Sequence, residues 1–387
     1  MSVPRLLCAL LMVLLISRPA VAGAQANSNE EPTSAASGEV ESPPWSGWWW
    51  PAWDRIGPTL FAPNGPLDKY DQYVAATSGD NPATRAWERQ ELYVPGVPWA
   101  GHCNGFAAAA LLEPEPTEPV TVLGITFSVA DLKGLLVDYH FGDAAAWSFG
   151  EDGQVNPADF QRMLLNWVGG VGQGFILTYE MGNDEVWSYP VYRFESQWTA
   201  DPNQADLWHV TTTVWMADMD VPPAFVGTKP YPNAAGKKFE YTLQGDPRDP
   251  SDGAWTGISR SGRFAHPGRI WFPQPTVRTE DRQLVSPGLD RQTIANIIAG
   301  SDGSEVTAPP LPSEAAPSTP TASPTPVSAP TAVAMPTATP TPVPVATAVA
   351  TSTPSPTPVP TATPTPNSSR KATLTPTPTP KRVGPRP

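Results

Sequence analysis

The C-terminal tract limits what this chain can fold into. From about Thr307 to Pro387 it is a Pro-Thr-Ala-Val sequence with Thr-Pro-Thr-Pro and Pro-Val-Pro repeats. Proline removes backbone donors and fixes φ, and the tract carries too little apolar surface to bury a core. It predicts an extended stalk leaning to polyproline II, of the kind that serves as a cell-surface spacer and a site of O-linked sugars.

The other end is equally directive. Arg5 precedes the apolar run Leu6 to Ile16, and small residues close the segment at Ala20-Val-Ala22 and Ala22-Gly-Ala24. That pattern predicts a secretory signal peptide over 1–24, too short in its apolar run to span a bilayer. Residues 25–44 read as a disordered leader, 45–287 as one folded domain, 288–306 as a linker and 307–387 as the stalk. No other hydrophobic run reaches membrane length, so a secreted or surface-attached protein without an integral segment is expected. The formal charge of -13 falls on the folded part, since the tail's charges include Arg370, Lys371, Lys381 and Arg382. An acidic body argues against nucleic acid as a partner and leaves room for divalent cations or basic peptide segments.

Of the two cysteines, Cys8 lies in the predicted signal peptide, which leaves Cys103 without an internal disulfide partner. Around it, Val94-Pro-Gly-Val-Pro-Trp-Ala-Gly-His-Cys103 is a Pro/Gly-punctuated approach, and Asn104 to Leu112 has the composition of a buried helix. A thiol at a loop-to-helix junction meets unpaired backbone N–H groups and the positive end of the helix dipole, which stabilise the nucleophilic thiolate. A small buried hydrophobe explains the same position equally well.

Helical periodicity continues at Val129 to Tyr139 and at Pro157 to Val168, the latter with Asn156 as cap. Pro66 to Asp71 reads as the start of another helix. Strand signals follow at 174–180, 208–216, 238–243 and 268–272. Helices early and strands late predict an α+β domain with the thiol-bearing helix on a mainly antiparallel sheet. The tryptophan-dense Trp45 to Trp53 is expected to anchor an N-terminal arm on that domain; an exposed sugar-stacking surface is the other reading.

Four blocks, in order, resemble the secreted transglutaminase elicitor family. They are Trp99-Ala-Gly-His-Cys-Asn-Gly105, Val186-Trp-Ser-Tyr-Pro-Val191 with Phe194, Pro222 to Pro230 followed by Tyr241 to Asp246, and Gly253-Ala-Trp-Thr-Gly257 leading to His266-Pro-Gly-Arg-Ile-Trp-Phe-Pro273. The resemblance implies a papain-like core and calcium-dependent cross-linking of protein glutamine and lysine side chains. It assigns Cys103 as nucleophile and His266 as base. The chain departs from the family at Gly268, where the family has His-Pro-Asp. It departs again at Ser188-Tyr189 and Tyr192-Arg193 within the peptide that plants recognise, so plant recognition is not carried over.

Among the other histidines, His102 adjoins the thiol, His140 ends a predicted helix and His209 sits in a strand and is the second choice for the base. Asp218 is the leading third member, with Asp220 and Asp281 as alternatives. The Cys103 N–H is one expected oxyanion donor, and Asn104, Gln90 and Trp99 are candidates for another. For the calcium the family suggests, Glu151 to Phe160 resembles half of an EF-hand loop, but Ser148 and Gly150 stand where the first carboxylates should be. No zinc constellation is evident. The expected activity is a protein-glutamine γ-glutamyltransferase. A cysteine peptidase or amidase on the same core, and a non-catalytic surface-binding protein, are the competing readings.

Overall fold

A computed structural model describes residues 34–150, 153–182, 184–278 and 284–302. The predicted signal peptide, the stalk and Asp281 lie outside them. In chain order the elements begin with β1 (Ser34–Glu39), α1 (Pro66–Ser78), α2 (Thr84–Glu91) and α3 (Cys103–Leu112). A small hairpin, β2 (Val120–Val122) and β3 (Ile125–Phe127), leads to α4 (Val129–His140) and β4 (Asp143–Phe149). Helix α5 (Pro157–Met163) continues as a π-helical stretch, Leu164–Val171. Then come β5 (Phe175–Glu180), β6 (Val186–Ala200), β7 (Leu207–Ala217), β8 (Pro230–Tyr231), β9 (Lys237–Asp246), β10 (Asp249–Trp255), β11 (Arg269–Arg278) and α6 (Arg291–Ile298).

The α+β reading holds: β10-β9-β7-β6-β5-β11-β4 form one antiparallel sheet, with β1 on β6 and β8 on β7. Strand β6 organises it. Its first half pairs with β5 and its second half with β1 along the same edge, while β7 lines the other edge. The sheet coils, because Trp255 at the end of β10 stacks on His266 just before β11, with ring centroids 5.6 Å apart. The same tryptophan donates to the Val155 carbonyl at 2.8 Å, and Val155 donates to the Pro267 carbonyl at 3.2 Å, closing the coil. Phe160 of α5 packs against Phe239, Tyr241 and Trp255 there.

On the helical side, α3 is an alanine-rich rod buried along nearly its whole length, and it packs on both α4 and β6. Helix α4 starts with a reciprocal cap, in which Ser128 and Asp131 satisfy each other's backbone N–H groups. The tryptophan segment is an anchor. Trp45, Trp49 and Trp50 are buried, and Trp45 packs edge-on to Phe106 of α3.

Two segments read from sequence as unstructured are ordered. Ser34–Glu39, assigned to the leader, pairs with β6 along its backbone, which composition does not reveal. Arg291–Ile298, assigned to the linker, is a helix capped by Asp290 whose Ile294 and Ile297 are buried. The predicted helix over 157–168 is α-helical only to Met163.

Candidate functional site

Cys103 is the first residue of α3 and is 4% exposed. Its Sγ lies 3.7 Å from the Val186 carbonyl at the start of β6. Burial pushes the thiol pKa up, against the backbone N–H and hydroxyl of Ser188 and the N–H groups of Asn104 and Cys103, which pull it down. The net direction is upward, the reverse of the lowered value expected from the helix dipole alone, because loss of solvent outweighs four donors. Ser188 is itself held. Its Oγ is 2.9 Å from Thr178 Oγ1, which receives the Trp271 indole N–H at 3.0 Å. This chain from β11 through β5 to β6 ends at the sulfur, and sequence reasoning missed it because three strands contribute one residue each.

Three of the four histidines face carboxylates. His102 is 2% exposed, with Nε2 3.1 Å from Glu88 Oε1 and 3.9 Å from Asp138 Oδ1. Its Nδ1 lies 3.0 Å from the Trp50 carbonyl, which can only accept, so Nδ1 carries a proton. Burial lowers the pKa of His102, but Glu88, Asp138 and that carbonyl raise it further, to about 9. His140 lies between Asp143 at 2.6 Å and Glu113 at 3.0 Å, so it does more than cap a helix. His209 pairs with Asp201 at 2.7 Å on an exposed part of β7, away from the role of second-choice base.

Among the described residues His266 has no carboxylate partner. Its ring stacks on Trp255, and Nδ1 lies 3.3 Å from the Pro267 carbonyl. No hydrogen bond or ring contact joins it to Cys103. Asp218 contacts no histidine either: it pairs with Lys229 at 2.7 Å and accepts from the Asp220 N–H at 3.0 Å, which makes it a turn-fixing residue at the end of β7. The predicted Cys103, His266 and Asp218 thus have three separate sets of partners. The register nevertheless puts His266 at the thiol's end of the sheet. Gly268 donates to the Thr178 carbonyl, and a Cβ at Gly268 would lie 2.8 Å from Glu180 Cγ. Glu180 is opposite Val186, whose carbonyl meets the sulfur. Strand β11, which starts three residues after His266, is two spacings, about 10 Å, from β6, with β5 between them.

The C-terminal end of α3 is fixed by Glu113, which accepts from Arg291 of α6 and faces His140. Burial raises the Glu113 pKa, but His140 and Arg291 lower it more, so the net direction is down. A lowered folded pKa gives stability that is present above the ordinary glutamate value of about 4.3 and is lost as pH falls through the folded value. Urea midpoints measured from pH 7 downward are expected to fall below about pH 4.5, and the Glu113→Gln variant is expected to start less stable and decline less steeply in that window.

Among the described residues one group could hold a metal: Glu88, His102 and Asp138, all buried, with ligand atoms within 4.8 Å of one another. One of its three donors is an imidazole nitrogen. Calcium takes six to eight oxygens, so this set does not fit the ion the resemblance implies. The EF-hand-like loop falls partly outside the described residues.

With this geometry in place, the pattern of the transglutaminase elicitor family matches residues 68–150, which run from α1 through Cys103 to the end of β4. The resemblance is to the transglutaminase elicitors. A crystal structure of the GP42 transglutaminase from Phytophthora sojae has the same fold, with a TM-score of 0.52 and 19% identity, covering 70% of this chain and 92% of that one. No curated protein matches the chain. In this transglutaminase-elicitor-like protein the matched segment holds both Cys103 and the Glu88–His102–Asp138 cluster, whereas His266 and Asp218 lie beyond it.

No helix among the described residues is long and apolar enough to cross a membrane.

Proposed function

We propose that the protein is an exported transglutaminase-type acyltransferase on a papain-like core, acting on glutamine and lysine side chains of other proteins. The observation that carries this is Cys103 at the first turn of α3, with N–H groups of Cys103, Asn104 and Ser188 directed at its sulfur, inside the segment that matches the elicitor family. In the proposed reaction His266 takes the thiol proton. The sulfur attacks the carboxamide carbon of a bound glutamine, and the backbone donors hold the oxyanion. The C–N bond breaks, and ammonia leaves with the proton from His266. A lysine amine then attacks the thioester, gives its proton to His266 and releases the thiol.

His266 is the proposed base because the other three histidines face carboxylates. Glu180, which packs beside Gly268, is proposed to turn onto His266 when substrate binds, in place of the family's aspartate. Catalytic contacts of this kind tighten when substrate enters. Calcium is carried over as the resemblance's expectation and has no step here.

The experiment is incorporation of a fluorescent amine into a glutamine-rich protein, with and without calcium. Activity that disappears in Cys103→Ser and falls at least about a hundredfold in His266→Ala supports the reading. Loss of glutamine amide without amine incorporation would make the protein an amidase. The buried, upward-shifted thiol favours a second reading, a non-catalytic surface protein, which would show neither reaction.

A further inference from the structure

We propose that Glu88, His102 and Asp138 form an intramolecular site for one divalent transition cation of the zinc class, which ties α2 and α4 to the turn that begins α3. The inference stands apart from the catalytic reading. Glu88 is 0% exposed, and among the described residues its carboxylate finds no hydrogen-bond donor besides the His102 imidazole. Among the described residues only the imidazole of His102 forms an ion pair with it, at 3.1 Å. The ring is oriented as in known metal sites: Nδ1 donates to a backbone carbonyl, which leaves Nε2 as the atom that would bind a cation once the cation displaces its proton. Trp50, whose carbonyl accepts this bond, has a positive φ of 48°, a conformation a tryptophan holds only when its surroundings demand it.

The distances suit a shared cation. Two atoms bound to one zinc at about 2.0–2.2 Å are themselves about 2.8–3.6 Å apart in octahedral (cis) or tetrahedral arrangements. The separations of Nε2 from the two carboxylates are 3.1 and 3.9 Å and all the ligand atoms lie within 4.8 Å of one another, so the carboxylates draw in by up to about an ångström as a cation binds. Charge leads to the same conclusion. Two carboxylates beside one imidazolium carry a net negative charge among themselves, and a divalent cation that displaces the Nε2 proton brings the three groups to neutrality. One nitrogen with carboxylate oxygens selects zinc, cobalt or manganese over calcium. The site is sealed, so the cation must enter as the chain folds.

The test is to produce the full chain in minimal medium supplemented with Zn²⁺ or Co²⁺ and measure metal by elemental analysis after gel filtration. About one equivalent in the parent protein, falling at least tenfold in Glu88→Gln and in His102→Gln, supports the site. In the Co²⁺-loaded parent protein, a hyperfine-shifted exchangeable proton from the Nδ1–H that donates to Trp50 is expected in the ¹H NMR spectrum. That readout does not depend on any variant folding. Less than a tenth of an equivalent of either metal in the parent protein would overturn the proposal and leave an imidazole–carboxylate cluster. Metal retained in both variants, or no shifted proton in a Co²⁺-loaded chain, would also overturn it.

Discussion

Gly105→Val is expected to lower the melting temperature by roughly 6–12 °C and to remove whatever activity Cys103 supports. The residue lies two positions into α3, where α3 and α4 touch. A Cβ there would come within 2.4 Å of the Val137 carbonyl oxygen and 3.0 Å of Phe141 Cα. Both obstacles are backbone, so no side chain can swing aside and the helices must part. Alanine is the weaker test, because its helix propensity returns about 1 kcal/mol over glycine. Valine adds two methyl groups to the clash, and overpacking of this kind costs about 3 kcal/mol, which for a domain of this size corresponds to the stated drop. Gly170→Ala is the control. A Cβ there meets nothing closer than 3.6 Å, and scanning calorimetry is expected to show no loss.

Lys133→Ala is expected to cost about 3–5 kcal/mol, read as a fall in urea midpoint and a shift in tryptophan emission. This lysine on α4 is 1% exposed, yet its ammonium is fully engaged. It donates to the Ser46 carbonyl at 3.0 Å, the Phe225 carbonyl at 2.7 Å and Glu115 at 2.6 Å, and lies 4.6 Å from the centre of the Trp45 ring. Burial pulls its pKa down while Glu115 holds it up. Removing the ammonium takes its donor from two carbonyls and leaves the Glu115 carboxylate with the Gly227 N–H and no counter-charge from Lys133, and frees the segment that places Trp49 and Trp50 over the start of α3. Lys133→Met keeps the apolar stem and is expected to recover part of the loss through packing.

The helices and central strands were legible where local chemistry and tertiary role agree. Ala107 to Leu112 is apolar all round because α3 is buried all round, Ser128 and Asp131 cap α4 within four residues, and β7 is written in threonine, valine and tryptophan. The misses have a common cause. Strand β1 is Ser-Ala-Ala-Ser-Gly-Glu, with no apolar pattern, and it is held by the backbone of β6 and by a glycine, Gly38, where a Cβ would lie 2.6 Å from Gly169 Cα. Helix α6 shows only two buried isoleucines.

The site divides the same way. Cys103 was legible from the loop-to-helix transition. The partners of His102 were not, because Glu88 sits in the polar helix Thr-Arg-Ala-Trp-Glu-Arg-Gln-Glu and Asp138 near the end of α4, and only folding brings them together. Asp218 was proposed from its place after a strand bearing a histidine, but Lys229, eleven residues on, claims it through the β7–β8 pairing.

The central claim is that the sulfur of residue 103 becomes covalently attached to a glutamine side chain. Intact-mass spectrometry of the acid-quenched protein, after incubation with a glutamine peptide and no acceptor amine, tests it most directly. The account predicts an adduct equal to the peptide less one ammonia, located to Cys103 by digestion, absent from Cys103→Ala and discharged by added lysine. A parent protein that forms no adduct, releases no ammonia and leaves its folded thiol unmodified would contradict it.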